Sequence, residues 1–116
     1  MGEKGARLSG ASEAFCADVV ARLAPIGPVT SRKMFGGFGI FHGGAMFGIV
    51  SKTLLYFKVN DETLDAYKKA RSKQHKPMPY YSVPSTVLAR TSSLHKWART
   101  AIDVAHAPGA KKTQKK

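Results

Sequence analysis

The stretch Arg32–Val59, RKMFGGFGIFHGGAMFGIVSKTLLYFKV, decides the fold. Phe38 to His42 and Ala45 to Val50 flank Gly43-Gly44, and a type I′ two-residue hairpin turn needs positive φ at both central positions, which glycine supplies. That turn predicts Phe38 opposite Ile49, Gly39 opposite Gly48, Ile40 opposite Phe47 and Phe41 opposite Met46. A second tight turn near Ser51-Lys52 would set Ile49 opposite Leu54 and Phe47 opposite Tyr56. One face of the meander then carries Phe38, Ile40, Phe47, Ile49, Leu54 and Tyr56. The other carries Phe41, Met46, Val50, Leu55, Phe57 and Val59. Both faces are apolar, so both are expected to be covered, at least in part. Glycine inside a strand marks close approach of another group. Over Gly39 and Gly48 the expectation is a helix or a partner strand, with a ligand groove as the alternative.

Outward from the meander the period changes from two to that of a helix. Phe15, Val19 and Leu23 recur every four residues, with Cys16 and Val20 beside them, which predicts a helix over Ser12–Ala24. Ser9 or Ser12 can cap it, and Pro25 and Pro28 end it. Residues 1–9 read as a frayed end. Asn60 is a favoured N-cap, followed by Asp61 and Glu62 where the helix dipole prefers acid. This middle helix should reach about Arg71, with Leu64 and Tyr67 inward and a basic last turn. SKQHKPMP reads as a loop, Tyr80–Val83 as a short strand, and Pro84 opens a helical turn through Leu88. Leu94, Trp97, Ala98, Ala101, Ile102 and Ala105 form an unbroken amphipathic stripe. Thr91, Ser92 or Ser93 can cap that helix, Pro108-Gly109 stops it, and Trp97 is expected to anchor it on the sheet. His95, Lys96, Arg99, Asp103 and His106 fall on its outer face.

The chain has 116 residues, 43% of them hydrophobic, which suits one domain with one core. No run approaches the roughly 18 apolar residues of a membrane span, and MGEKGARLSG has no apolar segment of a secretory signal. A single Cys16 precludes internal disulfides and suits a reducing cytoplasm. Nineteen Lys and Arg against seven Asp and Glu leave a formal charge of +12. Four of those charges, Lys111, Lys112, Lys115 and Lys116, sit in a tail, 108–116, expected to be disordered. A second concentration is Lys68, Lys69, Arg71, Lys73, His75 and Lys76. Such a balance favours polyanions by long-range attraction, although Lys68, Lys69 and Arg71 also suit the dipole of a helix C-terminus.

Catalytic patterns are missing. GGFGIFHGGAMFG lacks phosphate-loop spacing, and neither a nucleophile elbow nor H-E-x-x-H occurs. His42, His75, His95 and His106 have no ligand spacing and read as lone surface histidines. Asp61, Glu62 and Asp65 are explained by their helix N-terminus. Cys16 reads as a small buried hydrophobe. No catalytic residue, cofactor or metal is expected.

Arg32, Met34-Phe35-Gly36-Gly37, Gly39-Ile40, Met46-Phe47-Gly48 and Tyr56-x-Lys58 together resemble the N-terminal domain of the TfoX (Sxy) competence regulators. Tyr80-Tyr81-x-Val83-Pro84 and Leu94-x-x-Trp97-Ala98 extend the resemblance over about residues 12–107. It implies a two-layer α+β domain, an antiparallel meander of about four to five strands packed with N-terminal, middle and C-terminal helices. The domain is expected over 10–107. The family has a longer segment before its Tyr-Tyr-x-x-Pro motif, which predicts one strand here short or missing. Full-length regulators also carry a second domain, before which this chain stops. The implied role is a non-enzymatic module acting by protein contact in competence-linked transcription, in bacterial cytoplasm, with no membrane and with a homodimer allowed. The rival is direct nucleic-acid binding through Lys68, Lys69, Arg71, Lys73, Lys76 and the Lys-rich tail. An uncharacterised enzyme is the third reading.

Overall fold

The sheet is a five-stranded antiparallel meander in sequence order, β1 (Val29–Met34), β2 (Gly37–His42), β3 (Ala45–Ser51), β4 (Leu54–Lys58) and β5 (Tyr80–Ser82). A computed structural model describes residues 2–34, 37–75 and 78–107, with side chains from Ala11 onward. The helices are α1 (Gly2–Leu23), α2 (Leu64–Lys69), α3 (Ser85–Leu88) and α4 (Thr91–His106), with one 3-10 turn at Ala24–Ile26. This is the expected α+β architecture. The strand expected to be short or missing before Tyr80 is reduced to an isolated bridge between Gln74 and Tyr81, and β5 itself is three residues long.

Gly43 and Gly44 take φ of 57° and 84°, as the turn demands, and Phe41 pairs with Met46. Beyond that pair the expected register fails. A β-bulge between Ile40 and Phe41 shifts the ladder, so Ile40 faces Gly48, Gly39 faces Ile49 and Phe38 faces Val50. The bulge turns Phe47 and Gly48 to the same side. Phe38, Ile40 and Phe47 therefore join Val50, Leu55 and Phe57, while Phe41 and Met46 join Ile49, Leu54 and Tyr56. Interior burial of a phenylalanine contributes about 1.5–3 kcal/mol, and one ladder hydrogen bond about 0.5–1.5 kcal/mol, so seating Phe47 outweighs the broken ladder. Gly48 has no Cβ at the bulge. One there would lie 3.3 Å from the Phe57 ring and 3.4 Å from Ile40 Cβ. The second turn is also displaced. Ser51 pairs with Leu54 around Lys52-Thr53, and Ile49 faces Tyr56. That shift of two pair numbers leaves the β3–β4 faces unchanged.

The inner face lies under α1 and α4. Ile40, Phe47, Val50 and Phe57 meet Val19, Leu23, Leu94 and Ala98, all fully buried. Phe47 and Phe57 rings stand 5.8 Å apart. Cys16 belongs to this core, and burial pushes its thiol pKa up, as expected of a hydrophobe. The first helix begins at Gly2, earlier than its apolar stripe. Periodicity detects only a helix with an apolar face, and Gly2–Ala11 offers Leu8 alone.

Two further helix starts differ from expectation. Asn60 caps a turn ahead of α2: its Oδ1 accepts from the Thr63 N–H at 2.9 Å, while Thr63 Oγ1 accepts from the Asn60 N–H at 3.0 Å. The helix ends at Lys69, two residues short of the expected Arg71, with Ala70 as C-cap; Arg71 takes φ of 60° as the Ser72 N–H donates to the Tyr67 carbonyl. For α4 the N-cap is Arg90, without a side-chain cap bond, and Thr91, Ser92 and Ser93 lie inside the first turn. Seating Leu94 in the core outweighs the roughly 1 kcal/mol of a side-chain cap. Val104, outside the expected stripe, is buried too.

Candidate functional site

The outer sheet face gathers most of the motif residues. Pairing places Arg32 beside Gly39, Met34 beside Gly37, and Lys58 beside Tyr80. With Met46 and Tyr56 they share the face opposite the helices. Gly39 is covered neither by a helix nor by a strand: a Cβ there would meet Met34 Sδ at 2.7 Å, Met46 Sδ at 2.8 Å and Phe41 at 3.0 Å. A Cβ on Gly37 would run into the Val50 carbonyl. Close approach of backbone requires glycine at 37, whereas at 39 a side chain would have to displace the methionine ends packed there. The Arg32 guanidinium stands 5.7 Å above the Phe41 ring, within cation–π range.

The segment after α2 folds back over part of this face. The His75 ring meets Tyr56 edge-on at 4.9 Å, and His75 and Met78 close one side of a cleft of about 80 Å3 whose other walls include Met34, Met46 and Ile49. Tyr80 is buried beneath, donating its hydroxyl to the Met46 carbonyl at 3.1 Å. Burial pushes its phenol up to about 12. Leu54 remains 52% exposed at the edge.

Other motif residues lie elsewhere. Phe47, Gly48 and Tyr81 face the helices, Tyr81 with its ring 6.3 Å from Tyr67, and Pro84 is the N-cap of α3. Phe35 and Gly36 are outside the described residues. Trp97 is half-buried, and its direct aromatic partner is not a sheet residue but Tyr67 of α2, edge-on at 4.7 Å. The two rings form the floor of a groove of about 200 Å3 between α2 and α4, rimmed by Thr63, Lys96 and Thr100.

Lys68, Lys69, Arg71 and Lys73 are all exposed, around the end of α2 and the start of its loop. Lys76, Lys111, Lys112, Lys115 and Lys116 fall outside the described residues. The histidines are not the lone surface groups expected. His106 Nε2 lies 2.8 Å from the His42 carbonyl and 3.1 Å from His42 Nδ1. His95 Nε2 donates to the Arg22 carbonyl, and the Arg22 guanidinium donates to the Leu88 carbonyl. Contacts across sixty and more positions leave no trace in spacing, and the His75–Met78 flap left none either. Gly39 was the only sequence signal for the cleft.

Among the described residues no three His, Cys, Asp or Glu side chains come together as a metal group, and no helix is long and apolar enough to cross a membrane. An open meander with helices on one side and most of its described motif residues on the other is a small α+β domain built around a sheet surface. The chain belongs to the TfoX N-terminal domain family, whose profile matches residues 21–105. No protein of curated function gives a significant match.

Proposed function

We propose that this domain acts by protein contact through its outer sheet face, as a regulatory module without chemistry of its own. The observation that carries the reading is the sharing of one face by Arg32, Met34, Gly37, Gly39, Met46, Tyr56, Lys58 and Tyr80, with apolar Leu54 exposed at its edge. Family membership supports it, since the family is not known as an enzymatic one. The setting we assign is transcription control of the competence type, in a bacterial cytoplasm. Deletion of the gene should alter a defined set of transcripts, and wild type should restore them. A folded Leu54→Asp variant should not. Transcripts unmoved by deletion, or restored by Leu54→Asp, overturn the reading.

A second reading rests on Lys68, Lys69, Arg71 and Lys73, four exposed cations around one helix end. If they neutralise phosphates, log K for duplex DNA falls with log salt at a slope of roughly −0.9 per contact. Amide shifts over 68–73 that persist near physiological salt would favour nucleic acid. Their disappearance would leave the charges as a solvated surface.

A further inference from the structure

The cleft on the outer face gathers soft donors from three separate segments. The chain has four methionines, and three of them, Met34, Met46 and Met78, line this one cleft. The sulfurs of Met34 and Met46 lie side by side over Gly39, 2.7 and 2.8 Å from where a Cβ on that glycine would stand. His75 lines the same cleft, and its Nδ1 is buried with no hydrogen-bond partner among the described residues. A buried polar nitrogen left unpaired is costly.

We propose that Met34, Met46, Met78 and His75 form a binding site for a cuprous ion. Thioether sulfur is a soft donor that selects monovalent copper, whereas calcium, magnesium and manganese take oxygen ligands. No carboxylate lines the cleft among the described residues. Arg32 stands over Phe41 on the same face, and the chain carries +12, so a hard cation held by charge is disfavoured. Methionine is also a flexible filler of irregular gaps. Filling space, however, does not account for an imidazole nitrogen without a bond among the described residues beside three thioether side chains. The donors come from β1, β3 and the segment after α2, so the ion would fasten that segment to the sheet.

The experiment is an anaerobic titration of the full chain with Cu(I) against a chromophoric Cu(I) chelator, paired with NMR of the methionine methyls using Ag(I) as a redox-inert probe. One equivalent should bind, shifting the Met34, Met46 and Met78 methyls and the His75 ring together. Met46→Leu and His75→Gln should each weaken binding by about tenfold or more. Zn(II) and Ca(II) should leave the three methyls unmoved. Cys16 is the softest rival donor, but it is buried against the opposite face, so Cys16→Ser should retain the affinity. Loss of binding in Cys16→Ser overturns the proposal. So does unchanged binding in His75→Gln, or no binding at all. Should Met46→Leu not fold, Met34→Leu and His75→Gln decide the matter, since Met-to-Leu conserves volume and His75 lies outside the five strands.

Discussion

On the sheet face under the helices, Ile40, Phe47, Val50, Leu55 and Phe57 are closed to water; on the opposite face Phe41, Met46 and Tyr56 are only half-buried and Leu54 is open. The two faces draw on the same residue types, interleaved along the same strands. The difference lies in what covers them: two packed helices on one side, and on the other a short segment after α2 that reaches only as far as His75 and Met78. The helical layer excludes water from those five inner residues, and each then adds its full transfer free energy. A partial flap leaves clefts and edges. Stability is therefore concentrated on the inner face, and capacity to bind on the outer one.

The largest test of that contrast is Phe47→Ala. With Phe47 in the core, the cost by urea unfolding should be about 3–5 kcal/mol. Had the hairpin kept its unbulged register, Phe47 would sit with Tyr56 and the loss would be well under half of that. Trp97→Ala should cost about 2 kcal/mol, because the indole is half-buried and loses one edge-to-face partner, Tyr67, and not a full core seat. A cost near that of Phe47→Ala would mean that the α2–α4 groove is as closed as the core.

Tyr80→Phe should cost about 1 kcal/mol through the lost hydrogen bond to the Met46 carbonyl. It also has a pH signature. Burial raises the phenol from its ordinary 10 to about 12, so the folded state holds its proton where the unfolded chain releases it. That contribution is complete below pH 10 and is lost as pH rises towards 12. Tyr67 is shifted in the same direction by the same cause. Unfolding midpoints measured from pH 9 to 11.5 should fall less steeply in Tyr80→Phe than in wild type; parallel curves would mean that Tyr80 is not buried. Leu54→Ser should change stability by no more than about 0.5 kcal/mol, since Leu54 is already half in water. A larger loss would show the outer face to be more closed than its exposure indicates.

Much of the helix layer was legible because burial writes itself into spacing. Leu94, Ala98, Ala101 and Ile102 recur at helical intervals, and all four are buried. The Gly43-Gly44 turn was equally readable, since positive φ at two adjacent positions is cheap for glycine. The bulge was not readable. A turn dictates pairing only until the ladder is interrupted, and whether it is interrupted depends on the room for Phe47 beside Phe57, residues that meet only across the sheet. The outer cleft was less legible still, because an irregular loop has no period to betray where His75 and Met78 come to rest.

The types of most elements, the meander order, the family and the excess of positive charge could be read along the chain, because each follows from local backbone preference, residue spacing or counting. Only the tertiary structure decided which aromatic faced which layer, whether histidines sixty-four positions apart would touch, and that three methionines and a histidine would share one cleft. Those outcomes turn on excluded volume between distant segments, a quantity that no window along the chain contains.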